Sequence, residues 1–257
     1  MRIRRLFASV LIIGLLVPTI RAQYPDAVGR RGMVVSGNLM ASRVGLSILR
    51  RGGNAIDAAV ATGFALAVVE PRAGNIGGGG FMVIRFSDGR TTTIDFREKA
   101  PASATRDMYL DEQGEVIPQL STTGILASGV PGAIRGFGLA MEQYGSFAWE
   151  TVIEPAIELA EGGIAVSYQL HHDLTENRDR LIQFEETRRI FYPGDEPLRL
   201  NALFRQPDLA ATLQRISTQG PDEFYTGETG RLLSAHMRQR GGLITMQDLA
   251  DYRAVER

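Results

Sequence analysis

The stretch that decides the fold is Ala73–Pro101, AGNIGGGGFMVIRFSDGRTTTIDFREKAP. It begins as a loop with four consecutive glycines at positions 77–80, followed by an apolar run at 81–86. A Ser-Asp-Gly turn then leads into a second strand-prone run at 91–96. Two such runs on either side of a short Asp-Gly turn predict a β-hairpin. The hairpin would bring Arg97, directly after the second run, next to the glycine loop that precedes the first.

The chemistry of this stretch allows two interpretations. Four glycines leave backbone N–H groups without side-chain cover, so an anion or another backbone segment could approach closely. Arg97 offers a planar fork of donors that matches a carboxylate, which together with the loop suggests a site for a small carboxylate ligand. In the alternative, the glycine run is only a tight crossing, and Arg97 is solvated or paired with Asp95 or Glu98.

Two helices are predicted immediately upstream of the glycine loop. The first, Met40–Arg50, has helical apolar spacing and ends before two glycines at 52 and 53. Asn54 is a typical N-cap for the second helix, Ala55–Val69, which is rich in alanine and apolar on almost every side. A helix of this composition is expected inside a protein rather than on its surface. Pro71 then ends it.

Downstream of the hairpin the pattern is mostly helical. Helices are predicted at 133–144, 149–160, 167–189, 207–218 and 228–240, with a short one that begins at a capping box formed by Thr245 and Asp248. Short strands are predicted at 32–36 and 124–128, and residues 252–257 look extended. These elements predict an α+β fold. Because a few strands cannot form a sheet with two covered faces, we expect residues outside this chain to complete it.

Composition excludes several classes of site. The 257 residues are 44% hydrophobic and 22% charged, which is typical of a globular protein, and no cysteine is present for disulfides or cysteine metal sites. His171 and His172 are adjacent on a predicted helix, so their side chains point apart and do not share a metal. The glycine run lacks the Lys-Ser/Thr pair of a phosphate-binding loop. We therefore expect neither a metal nor a cofactor.

The first residues have the pattern of a targeting segment. Three arginines occur within the first five positions, and the apolar run at 6–17 is twelve residues long, whereas a membrane span needs roughly 20. A plausible cleavage site precedes Gln23. We interpret residues 1–22 as a secretory signal peptide and expect a secreted or periplasmic protein without stable membrane insertion.

The remaining chain is divided into a linker at 23–31 and one incomplete domain at 32–257. Without the predicted signal peptide, 24 basic residues stand against 29 acidic residues. A net negative chain of this kind is a poor nucleic-acid binder, so we expect no nucleic-acid partner.

Five motifs in one order resemble the γ-glutamyltranspeptidases, or glutathione hydrolases. They are ILRRGGNAIDAAVA at 48–61, GNIGGGGFMVIRF at 74–86, TIDFREKAP at 93–101, GVPGAIRGF at 129–137 and GGLITMQDLADYRAVER at 241–257. The resemblance spans residues 32–257. Several long motifs in a fixed order are far more specific than a single glycine pattern.

The resemblance implies a fold, a partner and one site residue. The family fold is a four-layer αββα sandwich of the N-terminal nucleophile hydrolase type, which this chain would form only in part. The family precursor cuts itself into a large and a small subunit, and this chain resembles about the first two-thirds of the large subunit. In the family, the arginine of the DFRE motif binds the α-carboxylate of the γ-glutamyl substrate. The matching residue is Arg97.

The resemblance also implies a reaction, γ-glutamyl transfer or hydrolysis of glutathione and other γ-glutamyl amides. Its nucleophile is a threonine at the N-terminus of the small subunit, in a Thr-Thr-His sequence. Here Thr91–Thr93 is followed by Ile94 and Thr122–Thr123 by Gly124, so neither fits. We therefore expect no catalytic residue in this chain and no activity from it alone.

Two alternatives stay open. One is a related acylase that acts on glutaryl-type amides, which a lost α-amino-acid anchor would mark. The other is a secreted, non-enzymatic binding module that keeps only ligand or partner contacts. A reading frame that continues into a Thr-Thr-His junction would favour the enzyme, and a stop at Arg257 would favour the module.

Overall fold

The computed structural model describes residues 28–74 and 76–257. The predicted signal peptide at 1–22 and most of the predicted linker lie outside the described residues. Residues 28–33 belong to a first unit that ends at Met33 and contain no helix or strand. All further structure concerns the second unit, Val34–Arg257.

The described part of the second unit contains eleven α-helices and five β-strands. The helices are α1 (Leu39–Arg50), α2 (Ala55–Val69), α3 (Ala133–Tyr144), α4 (Trp149–Gly162), α5 (Tyr168–Glu176), α6 (Arg178–Leu181), α7 (Glu185–Phe191), α8 (Pro207–Gln219), α9 (Asp222–Thr226), α10 (Glu228–Arg240) and α11 (Met246–Asp251). The strands are β1 (Phe81–Arg85), β2 (Thr91–Asp95), β3 (Ile164–Ala165), β4 (Leu203–Phe204) and β5 (Val255–Glu256). Within these described residues, no helix has both the length and the apolar character of a membrane span.

Helix α2 forms the centre of the core, as its composition predicts. Its start is fixed by a capping box, in which the Asn54 side chain accepts hydrogen bonds from the N–H groups of Ile56 and Asp57. The Asp57 carboxylate in turn accepts from the Asn54 N–H at 2.7 Å. Eleven of its fifteen residues are buried, and the helix packs against α1 and α4. The many alanines permit this close approach on several sides.

An aromatic cluster connects the helices to the sheet. Phe64 of α2 makes edge contacts with Phe137 of α3 at 5.2 Å and with Trp149 of α4 at 5.4 Å between ring centroids. Phe137 also contacts Phe96, just after β2, at 5.8 Å. The indole N–H of Trp149 donates to the Ile216 carbonyl at 2.9 Å. The end of β2 is therefore held by the same core that holds α2.

The predicted hairpin is confirmed. Strands β1 and β2 pair antiparallel, with Phe81 opposite Asp95 and Val83 opposite Thr93, and a turn joins them. Strand β5, in the stretch predicted to be extended, adds to β2 and gives the strand order β1-β2-β5. A second small sheet pairs β3 with β4.

The three-stranded sheet is covered on one face. Ile84 and Ile94 are buried against the helical core, whereas Phe81 and Val83 point to the other face and are 59% and 76% exposed. The alternation follows from the two-residue period of a strand. One face of the sheet is therefore open over the described residues.

Two strand predictions are wrong. Residues 32–36 form no strand with any described residue, and Val35 is largely exposed. Residues 125–127 form a 3-10 helix instead of part of a strand. Gly124 has a φ of +94°, a left-handed conformation that turns the chain where the apolar pattern predicts an extended segment.

The prediction of one long helix at 167–189 is also wrong, because this stretch forms the three helices α5, α6 and α7. Ser167 caps α5 as expected. The chain then leaves helical geometry at Asn177, whose side-chain amide donates to the Asp173 carbonyl at 2.9 Å. A second break occurs at Phe184, which is extended. Side chains that hydrogen-bond to nearby backbone groups compete with helical hydrogen bonds, and this explains the first break.

Candidate functional site

The glycine loop lies directly on the end of β2, as the hairpin predicts. The N–H of Gly80 donates to the Phe96 carbonyl at 3.2 Å, and the Phe96 N–H donates back to the Gly80 carbonyl at 3.0 Å. A Cβ atom on Gly79 would overlap the Phe96 carbonyl oxygen and would lie 2.8 Å from the Glu98 nitrogen. Only glycine allows the two backbone segments to approach so closely.

The same loop also caps a helix. The carbonyl of Gly78 accepts hydrogen bonds from the N–H groups of Gly132 and Ala133, at 2.8 and 2.9 Å. These donors belong to the start of α3, where N–H groups have no partner within the helix. A Cβ on Gly132 would overlap both the Phe96 carbonyl and the Tyr252 hydroxyl. Loop, strand end and helix start therefore meet backbone to backbone.

Arg97 has a fixed main chain and an exposed side chain. Its carbonyl accepts a hydrogen bond from the Tyr252 hydroxyl at 2.8 Å, and its N–H donates to Asp95 Oδ1 at 3.2 Å. The side chain is 67% exposed, and its Nε lies 3.3 Å from Glu98 Oε2. The structure thus places Arg97 beside the glycine loop, and Glu98 is one of the two acids expected as its alternative partner.

The ion pair between Arg97 and Glu98 joins an exposed guanidinium to a partly buried carboxylate. The Glu98 side chain is 32% exposed, and its Oε2 atom is buried and makes no hydrogen bond with any described residue. The other nearby acid, Asp95, is paired with Arg257, whose Nη2 lies 2.9 Å from Asp95 Oδ2. The exposed side of the guanidinium is therefore open to an incoming carboxylate with two aligned oxygens.

A column of stacked aromatic and cationic side chains supports the Arg97 main chain. The rings of Tyr252 and Tyr225 stack at 5.9 Å with planes 12° apart. Lys99 Nζ lies 5.0 Å from the Tyr252 ring centroid, and the Arg135 guanidinium lies 4.4 Å from that of Tyr225. Each end of the column thus places a cation over an aromatic face.

Both tyrosine hydroxyls in this column stay protonated at neutral pH. Burial, together with the smaller effect of the negative charges of Asp95 and Glu98, raises the pKa of Tyr252 to about 12. Burial also raises the pKa of Tyr225. The Tyr225 hydroxyl donates to the Pro131 carbonyl at 3.0 Å. Sequence patterns did not identify the two tyrosines, because residues 27 positions apart gave no interpretable spacing.

A cavity lies beside this region, and Arg97 is not among the residues that line it. It has a volume of about 700 Å³. Its lining residues are Arg135, Gly138, Leu139, Met141, Glu142, Phe147, Trp149, Pro221, Asp222, Arg253 and Ala254. Arg97 instead projects from the sheet end where one face of the sheet is open.

The histidines and threonines considered from the sequence lie elsewhere. His171 Nδ1 is 2.8 Å from the Leu198 carbonyl, and His172 stacks on Tyr168. Over residues 28–74 and 76–257, no three His, Asp or Glu side chains are close enough to hold a metal ion. Thr91–Thr93 lie within β2, so no terminal amine is available next to their hydroxyls.

Comparisons with known proteins agree on one family. The family model described as gamma-glutamyltranspeptidase matches residues 41–257. The glutathione hydrolase proenzyme of Escherichia coli (strain K12) is 49% identical over 229 residues, which cover 89% of this chain and 40% of that protein. The acylase ACY 1 proenzyme of Pseudomonas sp. (strain SE83) is 41% identical over 233 residues, with 88% and 42% covered. The chain thus spans about two-fifths of the length of these curated relatives.

Comparison of the fold with solved structures finds the same family. The crystal structure of Helicobacter pylori gamma-glutamyltranspeptidase superposes with a TM-score of 0.89 at 45% identity, and the match covers 91% of this chain and 67% of that chain. The predicted α+β class is therefore confirmed, and the structural neighbours are of the N-terminal nucleophile hydrolase type.

Proposed function

Since this chain belongs to the γ-glutamyltranspeptidase family, we propose that it forms part of an enzyme that transfers or hydrolyses γ-glutamyl groups, with glutathione as a substrate. The motifs around the glycine loop and Arg97 support this reading, as do relatives named as glutathione hydrolase proenzymes. We also keep as a proposal the division into a signal peptide at 1–22, a linker at 23–31 and one incomplete domain at 32–257, in a secreted or periplasmic protein.

The role that we assign to this chain is to bind the substrate α-carboxylate through Arg97. The observation that carries the assignment is the position of the arginine. Its carbonyl and N–H are held by Tyr252 and Asp95, while its donor fork is exposed and faces Glu98 on one side only. A fixed main chain with an exposed guanidinium is what recognition of a planar, two-oxygen ligand needs.

The reaction itself would use a threonine outside this chain. Its hydroxyl attacks the carbonyl carbon of the γ-glutamyl amide. Its own α-amino group, which has a pKa of about 8, takes the hydroxyl proton. Backbone N–H donors stabilise the tetrahedral oxyanion until the amine leaves. Water or an amino acid then releases the γ-glutamyl group from the threonine. By this scheme, residues 1–257 alone bind weakly and do not catalyse.

The partner that we propose is a small subunit from the same precursor. The sheet face that bears Phe81 and Val83 is open, and these apolar side chains are suited to cover by a second layer of structure. A test is to express the whole reading frame in which this chain lies. Self-cleavage before a threonine together with γ-glutamyl-anilide hydrolysis is expected. A stop codon directly after Arg257 would instead support a non-enzymatic binding module.

The assignment of Arg97 predicts a selective defect in the complete enzyme. We expect Arg97→Ala to raise KM for γ-glutamyl-p-nitroanilide while it leaves hydrolysis of the 4-aminobutyryl anilide, which lacks the α-carboxylate, nearly unchanged. A charge-assisted bidentate contact contributes about 2–3 kcal/mol. This corresponds to a roughly 30- to 150-fold rise in KM. Steady-state kinetics on both anilides measure the effect.

A matched control is Arg90→Ala in the hairpin turn. Arg90 is also exposed and also paired with a neighbouring acid, Asp88, at 2.7 Å. It lies at the opposite end of the hairpin from Arg97, so its removal is expected to change neither KM. Equal losses on the two anilides after Arg97→Ala would contradict the proposed carboxylate contact.

The alternative of a glutaryl-type acylase is tested by adding a glutaryl anilide to this experiment, because one similar relative is named an acylase. A glutaryl group and a γ-glutamyl group both end in a carboxylate that Arg97 could bind, and they differ in the α-amino group. The ratio of kcat/KM for γ-glutamyl-p-nitroanilide and glutaryl-p-nitroanilide therefore separates the activities. A ratio in favour of the glutaryl anilide would replace the glutathione hydrolase proposal.

A further inference from the structure

We propose that Tyr252 is a positioning residue for the substrate-binding guanidinium of Arg97, through a hydrogen bond from its hydroxyl to the Arg97 carbonyl. The inference rests on the carboxylate-binding role proposed for Arg97. It adds a residue 155 positions away along the chain that determines where the guanidinium is presented. Tyr252 itself is buried and touches no substrate group in this scheme.

The hydrogen bond is suited to fix the Arg97 main chain. Tyr252 is 2% exposed, and its hydroxyl lies 2.8 Å from the Arg97 carbonyl oxygen. With a pKa raised to about 12, the hydroxyl remains a donor throughout the neutral range. The hydroxyl also fits tightly, since a Cβ on Gly132 would overlap it. A side chain held in this way has little freedom to follow movement of the strand end.

The ring of Tyr252 is held independently of that hydrogen bond. It stacks on Tyr225, and Lys99 Nζ lies 5.0 Å from its centroid while donating to the Arg253 carbonyl at 3.1 Å. Tyr225 is anchored in turn at its hydroxyl by Pro131 and by the Arg135 N–H at 3.1 Å. The column therefore connects the Arg97 carbonyl to the start of α3 and to α9, which are parts of the core.

The other hydrogen bonds near Arg97 fix its N–H and the neighbouring residues, and its carbonyl is bonded by Tyr252. The Asp95 carboxylate fixes the Arg97 N–H, and the Gly80 N–H fixes the carbonyl of the preceding residue, Phe96. Downstream, the Lys99 N–H and carbonyl pair with Val130 at 3.3 and 2.8 Å. Without the tyrosine hydroxyl, the peptide unit after Arg97 would lose the partner of its carbonyl and could shift between the fixed positions 96 and 99. The guanidinium would then sample several positions, and a bidentate contact loses strength when one of its two bonds is misaligned.

The variant Tyr252→Phe tests this inference, because it removes one oxygen atom and keeps the stacked ring. The complete enzyme is assayed with γ-glutamyl-p-nitroanilide and with the 4-aminobutyryl anilide. We expect KM for the γ-glutamyl substrate to rise about fivefold, with kcat little changed and no change for the analogue. In an Arg97→Ala background, Tyr252→Phe should have no further effect on KM for either substrate.

Tyr192→Phe is the matched control. Tyr192 is also buried, and its hydroxyl donates to the Leu174 carbonyl at the same distance of 2.8 Å, in a part of the helical region that does not contact Arg97. Thermal unfolding should show similar losses of stability for the two variants. Only Tyr252→Phe should change the ratio of KM values for the two anilides.

Three outcomes are distinguishable. If Tyr252→Phe lowers the unfolding temperature as Tyr192→Phe does but leaves the KM ratio unchanged, Tyr252 is only structural and the inference is wrong. If Tyr252→Phe changes the ratio equally with and without Arg97, it acts by another route and the inference is also wrong. If Arg97→Ala affects both anilides equally, the proposed carboxylate site fails, and the positioning role fails with it.

Discussion

Asp57 is a buried carboxylate that holds two chain segments together. Its oxygens accept hydrogen bonds from the N–H groups of Asn54, Ser146 and Phe147, at 2.7, 2.9 and 3.1 Å, and from the Ser146 hydroxyl. Burial alone would raise the pKa of Asp57, but these hydrogen bonds together hold the pKa below its usual value. The loop between α3 and α4 is thereby fixed to the start of α2.

This arrangement predicts a stability that depends on pH. Because the folded-state pKa of Asp57 is lowered, its contribution is complete above the unfolded-state pKa of about 4 and is lost as the pH falls through the folded-state value. We expect Asp57→Asn to lower the free energy of unfolding by about 2 kcal/mol at pH 6 and by clearly less at pH 3. Urea unfolding of wild type and variant at both pH values measures the difference.

Asp88 provides the comparison for this prediction. Its pKa is also lowered, chiefly by hydrogen bonds from Arg90, but the carboxylate is exposed in the hairpin turn. Solvent screens such a pair, so Asp88→Asn should leave the free energy of unfolding nearly unchanged at either pH. A loss for Asp57→Asn that is equal at pH 3 and pH 6 would show that the ionised carboxylate is not the stabilising form.

Among the residues of the site, the sequence identifies Arg97 but not Tyr225 or Tyr252. Arg97 could be singled out because the hairpin pattern places it beside four glycines, and a family motif contains it. Tyr252 and Tyr225 could not, because their roles depend on stacking between segments that are far apart along the chain. A local pattern contains no information about which distant ring a side chain will meet.

Among the elements, the glycine loop is the one whose backbone determines the site. Gly79 has no space for a side chain, since a Cβ would meet the backbone of residues 96–98 rather than a flexible side chain. We expect Gly79→Ala to lower the free energy of unfolding by about 1–3 kcal/mol, because β1 and the end of β2 must separate to admit the methyl group. Chemical denaturation followed by circular dichroism measures it.

Gly162→Ala is the control for the loop. Gly162 is the last residue of α4, and a Cβ there would meet nothing within 4 Å. Alanine favours helix over glycine by up to about 1 kcal/mol, so this variant should be as stable as wild type or slightly more stable. If both substitutions were tolerated equally, the close approach at Gly79 would not be a constraint on the fold.

A helix end can be predicted when the residue at that end is itself a capping residue. The starts of α2 and α11 were predicted correctly, because Asn54 and the Thr245–Asp248 pair satisfy exposed N–H groups with their own side chains. The breaks at Asn177 and Phe184 were missed, because each is a change of backbone conformation inside a continuous polar pattern. The short helix α9 was missed because five residues give too little periodicity.

For the whole molecule, the open sheet face is the feature with the widest consequence. The α+β class and the hairpin could be predicted from composition and pattern, and an incomplete sheet was expected because strands were too few. Phe81 and Val83 on the open face alternate along β1 with the half-buried Met82 and the buried Ile84 on the covered face. Soluble proteins rarely leave contiguous apolar strand faces uncovered, so this face is a natural contact surface for the proposed small subunit.

The open face predicts that residues 34–257, expressed alone, associate with themselves. Exposed strands and apolar faces pair with other copies when their usual cover is absent. We expect Val83→Lys to shift the isolated chain from oligomers towards monomer in sedimentation velocity, because burial of a charged lysine between two packed copies is unfavourable. Val116→Lys, at a similarly exposed valine outside the sheet, should leave the oligomers unchanged. In the complete enzyme, Val83→Lys should instead impair assembly with the small subunit. An isolated chain that is monomeric at all concentrations would argue against a face built to be covered.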